Sequence, residues 1–415
     1  MFRSFHRIRD IRRVRFTFQM IVIAFVAAYS STQLIGQGKY SVGVNADITG
    51  GGNGPNPGAG TQTSGDFAPF LGTYPSVAFK ARGEHSSLDS TYGFGYERTF
   101  TDPAYETKSQ NATLAFSSKP GPKWSFNLAD TFYKTSNLSS FQLLSGAVAV
   151  PDPAGVEQFQ FVFTPVFQHS NNTNTATVGL DRILNKKSSF TISGSYSTLY
   201  YPDSPQTAGV LSDQQRISAI AMYKRSGEHH TWSVGYTGAR FNFATFQNSM
   251  SHSGVIAYSY QFSPALSLQV SAGPSYLDSL ENIKSPMGTN VTATITRVIP
   301  KGSFALSATH TSGDTSGLGS VSRSTEARFD IGHKFGRNTS FSANISGFDT
   351  QGLQVNGVSA RGIAGGGYLG FALSRDWSLN CGGQFQHYEG YTTTGYDQKR
   401  AFISLRYSKP ELWRF

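Results

Sequence analysis

The segment Lys186–Tyr201, KKSSFTISGSYSTLYY, alternates bulky apolar side chains with small polar ones. One side carries Phe190, Ile192 and Tyr196, and the other carries Thr191, Ser193 and Ser195. A period of two residues is typical of a β-strand with one apolar and one polar face. In a soluble sandwich the apolar face packs inward. In a membrane barrel it faces lipid, and the polar face lines the inside.

The same pattern recurs after about residue 86. Each copy is a polar turn, a bulky residue and an alternating segment, and the first bulky residues are Leu88, Trp124, Phe190, Trp232, Leu266, Phe304, Phe341 and Trp377. The steps between them are 36, 66, 42, 34, 38, 37 and 36 residues. Each copy also has a returning partner strand. The pattern predicts an all-β fold, a closed antiparallel transmembrane β-barrel of about 16 strands, within roughly 14 to 18.

Composition favours the barrel over a soluble sandwich or propeller, which stay as alternatives. Charged residues make up only 14% of the chain, against about a quarter in ordinary soluble domains. Ser, Thr, Asn, Gln and Gly take their place, as suits a barrel's inner wall. The bulky residues beside the short turns are predicted to form an aromatic girdle at the membrane interface: Trp124, Phe190, Trp232, Phe304, Phe341 and Trp377.

The first residues predict a signal peptide over 1–36. Six Arg precede Phe16, an apolar run follows, and small residues come next, with cleavage expected after residue 30 or 36. An uncleaved helical anchor is the alternative. Removing the segment takes six of 35 basic and one of 25 acidic residues, leaving 29 against 24, or +5. The basic balance is therefore mostly targeting sequence, and no nucleic-acid partner is expected. Cys381 is the only cysteine, which excludes an intrachain disulfide.

The chain ends in AFISLRYSKPELWRF, with Trp413 near the end and Phe415 last. With its hairpin repeats, the sequence resembles the porin-type outer-membrane β-barrels of Gram-negative bacteria. These include a poorly characterised group of which some members are linked to exopolysaccharide production. The resemblance covers about residues 75–415 and rests on architecture. It implies that the barrel-assembly machinery reads Trp413 and Phe415. Because Pro410 and Glu411 interrupt the alternation, the final strand is expected to stop at Ser408.

Two regions depart from the repeat. Residues 37–86 are predicted to form a Gly/Pro-rich periplasmic N-terminal segment, or alternatively a plug, before a barrel over 87–415. The long loop 134–172 is expected to fold inward as a constriction or lid, to form an extra extracellular hairpin, or to add two strands, making 18. Its candidate constriction residues are Phe141, Phe159, Phe161 and Phe163.

Alternation also places charged residues in the lumen: Asp89, Glu97, Asp181, Glu326, Arg328, Asp330, Arg400 and Arg406. Closing the barrel by pairing strand 88–100 with strand 399–408 would bring Asp89 to Arg406 and Glu97 to Arg400.

We therefore expect a channel for hydrophilic solutes in the Gram-negative outer membrane. Passage of saccharides or export of polysaccharide is implied by the resemblance alone. A structural or adhesive barrel with a blocked lumen is the alternative, and an outer-membrane hydrolase is the third hypothesis. No GxSxG, HExxH or supported carboxylate pair occurs, so we predict no enzyme activity, no catalytic or metal-binding residue and no cofactor. The expected partners are membrane lipid, the barrel-assembly machinery, a saccharide solute and a second copy of the chain.

Overall fold

The computed structural model describes residues 39–54, 68–100, 105–135, 170–202, 213–244, 248–279, 287–315, 321–353, 359–389 and 396–414. These residues form 18 strands. The strands are β1 (Lys39–Asn53), β2 (Ala68–Arg82), β3 (Ser86–Thr99), β4 (Tyr105–Gly121), β5 (Trp124–Thr135), β6 (Asn171–Asn185), β7 (Ser188–Tyr200), β8 (Gln214–Ser226), β9 (His230–Phe243), β10 (Ser249–Ser263), β11 (Leu266–Ser279), β12 (Met287–Ile299), β13 (Gly302–Thr315), β14 (Val321–Phe335), β15 (Thr339–Gly352), β16 (Ser359–Ala372), β17 (Trp377–Glu389) and β18 (Tyr396–Arg414).

The strands form one closed antiparallel barrel. Each strand pairs with its two neighbours in sequence, and β1 pairs with both β2 and β18. Closure leaves no unpaired edge in the sheet. Turns of two to four residues join the strands at one end of the barrel, which we call the short-turn end. Longer connections join them at the other end, the long-loop end. Both Lys39 and Arg414 lie at the short-turn end.

The two faces of the wall follow directly from the alternation in each strand. In β18, Arg400, Phe402 and Ser404 are buried, while Ile403 between them is 60% exposed. Antiparallel partners project to the same face, so the registers extend this assignment around the barrel. The outward positions are mainly apolar, as shown by Ile48, Val234, Ile256, Ile295 and Ile345. The inward positions are mainly Ser, Thr, Asn and Gly.

Within the described residues, no helix is long and apolar enough to cross a membrane.

The prediction of a closed antiparallel β-barrel is confirmed, and 18 strands fall at the top of the expected range. The two strands beyond the central estimate of 16 come from the region predicted to be a periplasmic segment. Lys39–Asn53 and Ala68–Arg82 are wall strands. The Gly-rich stretch ITGGGN at the end of β1 lacks the alternation of apolar and polar side chains. The strand still continues to Asn53, because its backbone pairs with β2 on one side and β18 on the other.

The predicted seam was wrong for the same reason. β3 pairs with β2 and β4, and β18 pairs with β17 and β1, so strands 88–100 and 399–408 are not neighbours. The predicted stop at Ser408 was also wrong, because β18 runs to Arg414. Between Val42 and Val44 the register jumps from Trp413 to Lys409, so the extra residues around Pro410 form a bulge opposite Gly43.

Candidate functional site in the barrel lumen

The predicted lumen charges occupy inward positions in the registers. In β14, Glu326, Arg328 and Asp330 pair with Thr309, Ser307 and Ala305 of β13 and share their face. Asp181 lies inward on β6, where its carboxylate accepts hydrogen bonds from Thr191 (2.5 Å) and Ser125 (3.2 Å). The remaining predicted charges are placed on β3 and β18: Asp89, Glu97, Arg400 and Arg406.

Glu97 and Arg400 meet although their strands are separated by β1 and β2. Arg400 Nη2 donates to Glu97 Oε2 over 2.7 Å, and the two side chains are only 4% and 5% exposed. The Arg400 guanidinium also stacks on Phe70, at 3.9 Å from the ring centroid. Tyr74 donates a hydrogen bond to Glu97 over 2.5 Å. When a charge pair is buried to this extent, each charge is compensated by the other, so removing one partner leaves a buried charge without its counter-charge.

Gly72 makes room for this arrangement. It is the direct partner of Glu97, and a Cβ atom there would lie 2.8 Å from the Tyr74 hydroxyl. The Tyr74 ring therefore folds over Gly72 and brings its hydroxyl to the Glu97 carboxylate. We call Phe70, Tyr74, Glu97 and Arg400 the seam cluster, because they join β2, β3 and β18 across β1.

The other predicted pair, Asp89 with Arg406, does not form. Asp89 accepts hydrogen bonds from Arg82 at 2.8 Å, across the β2–β3 hairpin. Arg406 lies 3.9 Å from Asp47, its partner on β1. Sequence reasoning missed Arg82 and Asp47 because both belong to the two strands that it left outside the barrel. The lumen also holds an ion pair within β14, between Arg328 and Asp330 at 2.7 Å.

A cavity of about 580 Å³ lies against the inner wall of β1–β4 and β14–β18. Several of its inward lining positions are glycine, including Gly93, Gly95 and Gly370. Its charged lining residues are Asp47, Lys334, Arg337, Arg400 and Arg406. Its neutral polar lining includes Asn45, Ser76, Asn111, Asn338, Ser340, Tyr368, Asn380 and Ser404. The β14–β15 turn borders the cavity, which places it towards the short-turn end.

The wall near the long-loop end is more deeply buried. The most buried side chains lie near those strand ends, including Thr99, Asn171, Phe241 and Thr350. An apolar cluster also forms there from Ala239, Phe241, Phe243, Leu277, Val321 and Leu353. The described lumen is therefore asymmetric, with an open polar cavity towards one end and covered wall residues at the other.

The predicted girdle residues all project outward beside the short turns. Trp124, Trp232 and Trp377 are 39%, 51% and 44% exposed, and Phe190, Phe304 and Phe341 are partly buried. Trp413 lies on β18, paired with Val42. The predicted signal peptide 1–36, Phe415 and the candidate constriction residues Phe141, Phe159, Phe161 and Phe163 lie outside the described residues. β5 and β6, which flank the long loop, pair directly with each other, so no strand intervenes between them.

Among the described residues, no group of three or more His, Cys, Asp or Glu side chains is placed to hold a metal ion.

No protein-family model and no curated protein matches the chain. Several crystal structures are similar over most of their length. OpdL from Pseudomonas aeruginosa has a TM-score of 0.46 at 9% identity, covering 90% of this chain and 99% of that chain. OccAB4 from Acinetobacter baumannii has a TM-score of 0.45 at 9% identity, covering 91% and 98%. OccK5 (OpdH) from P. aeruginosa has a TM-score of 0.45 at 12% identity, covering 92% and 100%. These likenesses are too weak for any function to be carried over to this chain.

Proposed function

We propose that this chain forms a channel for hydrophilic solutes in the Gram-negative outer membrane. The observation that carries the proposal is a polar, charged cavity of about 580 Å³ inside a closed barrel whose outer face is apolar. Barrels of 16 to 18 strands are wide enough to leave an aqueous channel. An apolar outer face needs lipid as its solvent, and a closed barrel satisfies its backbone hydrogen bonds there.

The orientation follows from the connections. Outer-membrane barrels have short periplasmic turns and longer extracellular loops, so we assign the short-turn end to the periplasm. The girdle then lies at the periplasmic interface of the membrane. Recognition of Trp413 and Phe415 by the barrel-assembly machinery, and self-association in the membrane, belong to the same proposal.

Saccharides are a finer hypothesis for the solute. Tyr368, Asn338, Asn380 and Ser404 line the cavity, and they offer an aromatic ring and hydrogen-bonding groups suited to hydroxylated molecules. Export of a polysaccharide would require a continuous path to the long-loop end.

The second candidate is a structural or adhesive barrel with a blocked lumen. It is favoured by the burial of Thr99, Asn171, Phe241 and Thr350 near the long-loop end. A lumen closed at the long-loop end would stop solutes from crossing the membrane, although the cavity towards the short-turn end is open.

Planar-bilayer recording separates the two candidates. We expect discrete ohmic current steps from protein whose folding is shown by a heat-sensitive shift in gel mobility. Folded protein that inserts into the bilayer and gives no current would contradict the channel and support the blocked barrel.

A further inference from the structure

The lumen cavity carries an excess of positive charge. Its charged lining consists of four basic residues, Lys334, Arg337, Arg400 and Arg406, and one acidic residue, Asp47. Arg400 is already compensated by Glu97 at 2.7 Å. Arg406 lies 3.9 Å from Asp47, a long separation for an ion pair. Two basic side chains therefore line the cavity in addition to Arg400 and Arg406, which have acidic partners.

These two side chains are Lys334 and Arg337, which flank the β14–β15 turn. Lys334 projects inward near the end of β14, and Gly336, whose φ of 71° gives the turn its shape, precedes Arg337. Both residues are exposed. Within the described part of the chain, no carboxylate lies within ion-pair distance of either of them. Their charges are therefore available to a solute in the cavity.

Neutral hydrogen-bonding groups surround the same charges. Asn338 and Ser340 follow the turn on β15, and Asn380 and Ser404 pair with each other on β17 and β18. A guanidinium binds a carboxylate or phosphate through paired N–H donors, while amides and hydroxyls bind solute hydroxyl groups. The combination suits a small anion that also carries hydroxyl groups.

Charge at the short-turn end extends this field to the cavity's opening. The short turns carry Lys123, Lys186, Lys187, Lys301, Arg337 and Arg375, against Glu84, Glu228 and Asp376. Like charges lining a low-dielectric opening raise the local concentration of the opposite ion. The turn bordering the cavity belongs to this same end.

We propose that the lumen cavity is a binding site for hydroxylated organic anions, bearing a carboxylate or a phosphate, and that it is loaded from the periplasmic side. Lys334 and Arg337 supply its uncompensated charge, and Asn338, Ser340, Asn380 and Ser404 orient the hydroxyl groups. The proposal deepens the channel function by naming a solute class, and its route of loading depends on that channel's orientation.

The first test is ion selectivity. In a KCl gradient across a planar bilayer, the reversal potential should show that chloride is favoured over potassium. The double variant Lys334→Gln/Arg337→Gln should lower the chloride-to-potassium permeability ratio about threefold or more, because the field of the lining is lost. As a control, Arg297→Gln/Arg361→Gln, which removes two positive charges from the outer face of the wall, should leave the ratio nearly unchanged. If the protein conducts but both variants lower the permeability ratio equally, or neither lowers it, the proposed site is wrong. The channel function would still stand.

The second test does not need current. Titration calorimetry on the folded protein in detergent would use gluconate as the carboxylate probe, glycerol 3-phosphate as the phosphate probe and sorbitol as the uncharged control. Binding of either anion, lost in Lys334→Gln/Arg337→Gln and kept in the control variant, supports the site and identifies the preferred charge. Absence of anion binding to the unaltered protein, or equal binding of sorbitol, would overturn it.

Sidedness is tested in bilayers of known orientation. The preferred anion should reduce the current at lower concentration from the periplasmic side than from the other side. Equal block from both sides would contradict periplasmic loading.

Discussion

Arg400 of β18 contacts both β2 and β3 on the inner wall. It bonds Glu97, stacks on Phe70 and lies 5% exposed in the wall. Its replacement by Met would leave Glu97 buried without a counter-charge. We expect a loss of about 3–5 kcal/mol in the free energy of unfolding, measured by urea denaturation of the folded barrel in lipid vesicles.

A double-mutant cycle tests the cause of that loss. Glu97→Gln combined with Arg400→Met removes both charges, and it should recover much of the stability. As a matched control, Arg361 and Glu389 form an ion pair at 2.5 Å on the outer face, with side chains 73% and 41% exposed. Arg361→Met should change stability by no more than about 1 kcal/mol. Equal losses at the two arginines would show that burial is not the reason.

At the scale of the strands, the closing pair is β1 with β18. Thr49 and Ser404 are direct inward partners in this pair. In a Cys381→Ser background, Thr49→Cys with Ser404→Cys should therefore form a disulfide under mild oxidation, detected by mass spectrometry of the joined peptides. Asp89→Cys with Arg406→Cys should stay reduced, because those residues lie on strands that do not pair. Cross-linking of the second pair alone would mean that the barrel closes elsewhere.

Close packing in the same strand pair gives a second prediction. A Cβ atom at Gly51 would collide with the backbone oxygen of Ala401, whereas one at Gly179 on β6 would lie 3.9 Å from its nearest neighbour, Ser193. Gly51→Val should therefore sharply lower the yield of folded barrel, and Gly179→Val should not. The heat-sensitive gel shift measures both yields. Normal folding of Gly51→Val would show that β1 and β18 are further apart than described.

The sequence predicted strands best where alternation is regular and the turns are charged. β7 and β9 were identified from Phe190 and Trp232, the bulky residues near their starts. β1 was not recognised as a wall strand because three consecutive glycines, residues 50–52, lie near its end, so the side-chain period fades while the backbone pairing continues. The inward positions of Glu97 and Arg400 follow from the alternation of side chains within each strand. Their contact depends on the positions of β1 and β2 between β18 and β3. The alternation within a single strand does not show which strands are neighbours.

At the scale of the whole molecule, the two faces of the wall should respond oppositely to charge. Ile256 is 59% exposed on the outer face of β10, and Ala257 beside it faces inward, opposite Ser233 and Ser271. We expect Ile256→Lys to cost about 2–4 kcal/mol in lipid, as a charge near the middle of the bilayer does. Ala257→Lys, which reaches the polar lumen, should cost much less. Urea titrations in vesicles measure both, and the reverse ranking would mean that the outer face does not contact lipid.

β1 has one more consequence, which concerns how a barrel of this kind can change size. Both of its neighbours, β2 and β18, run antiparallel to it and therefore parallel to each other. If β1 were lost, these two could close the ring only through parallel pairing, whose slanted hydrogen bonds occur nowhere else in this sheet. Adding or removing a hairpin therefore keeps every pairing antiparallel, whereas adding or removing a single strand makes one pairing parallel. Over evolutionary time, duplications and deletions that keep the wall fully antiparallel come in even steps.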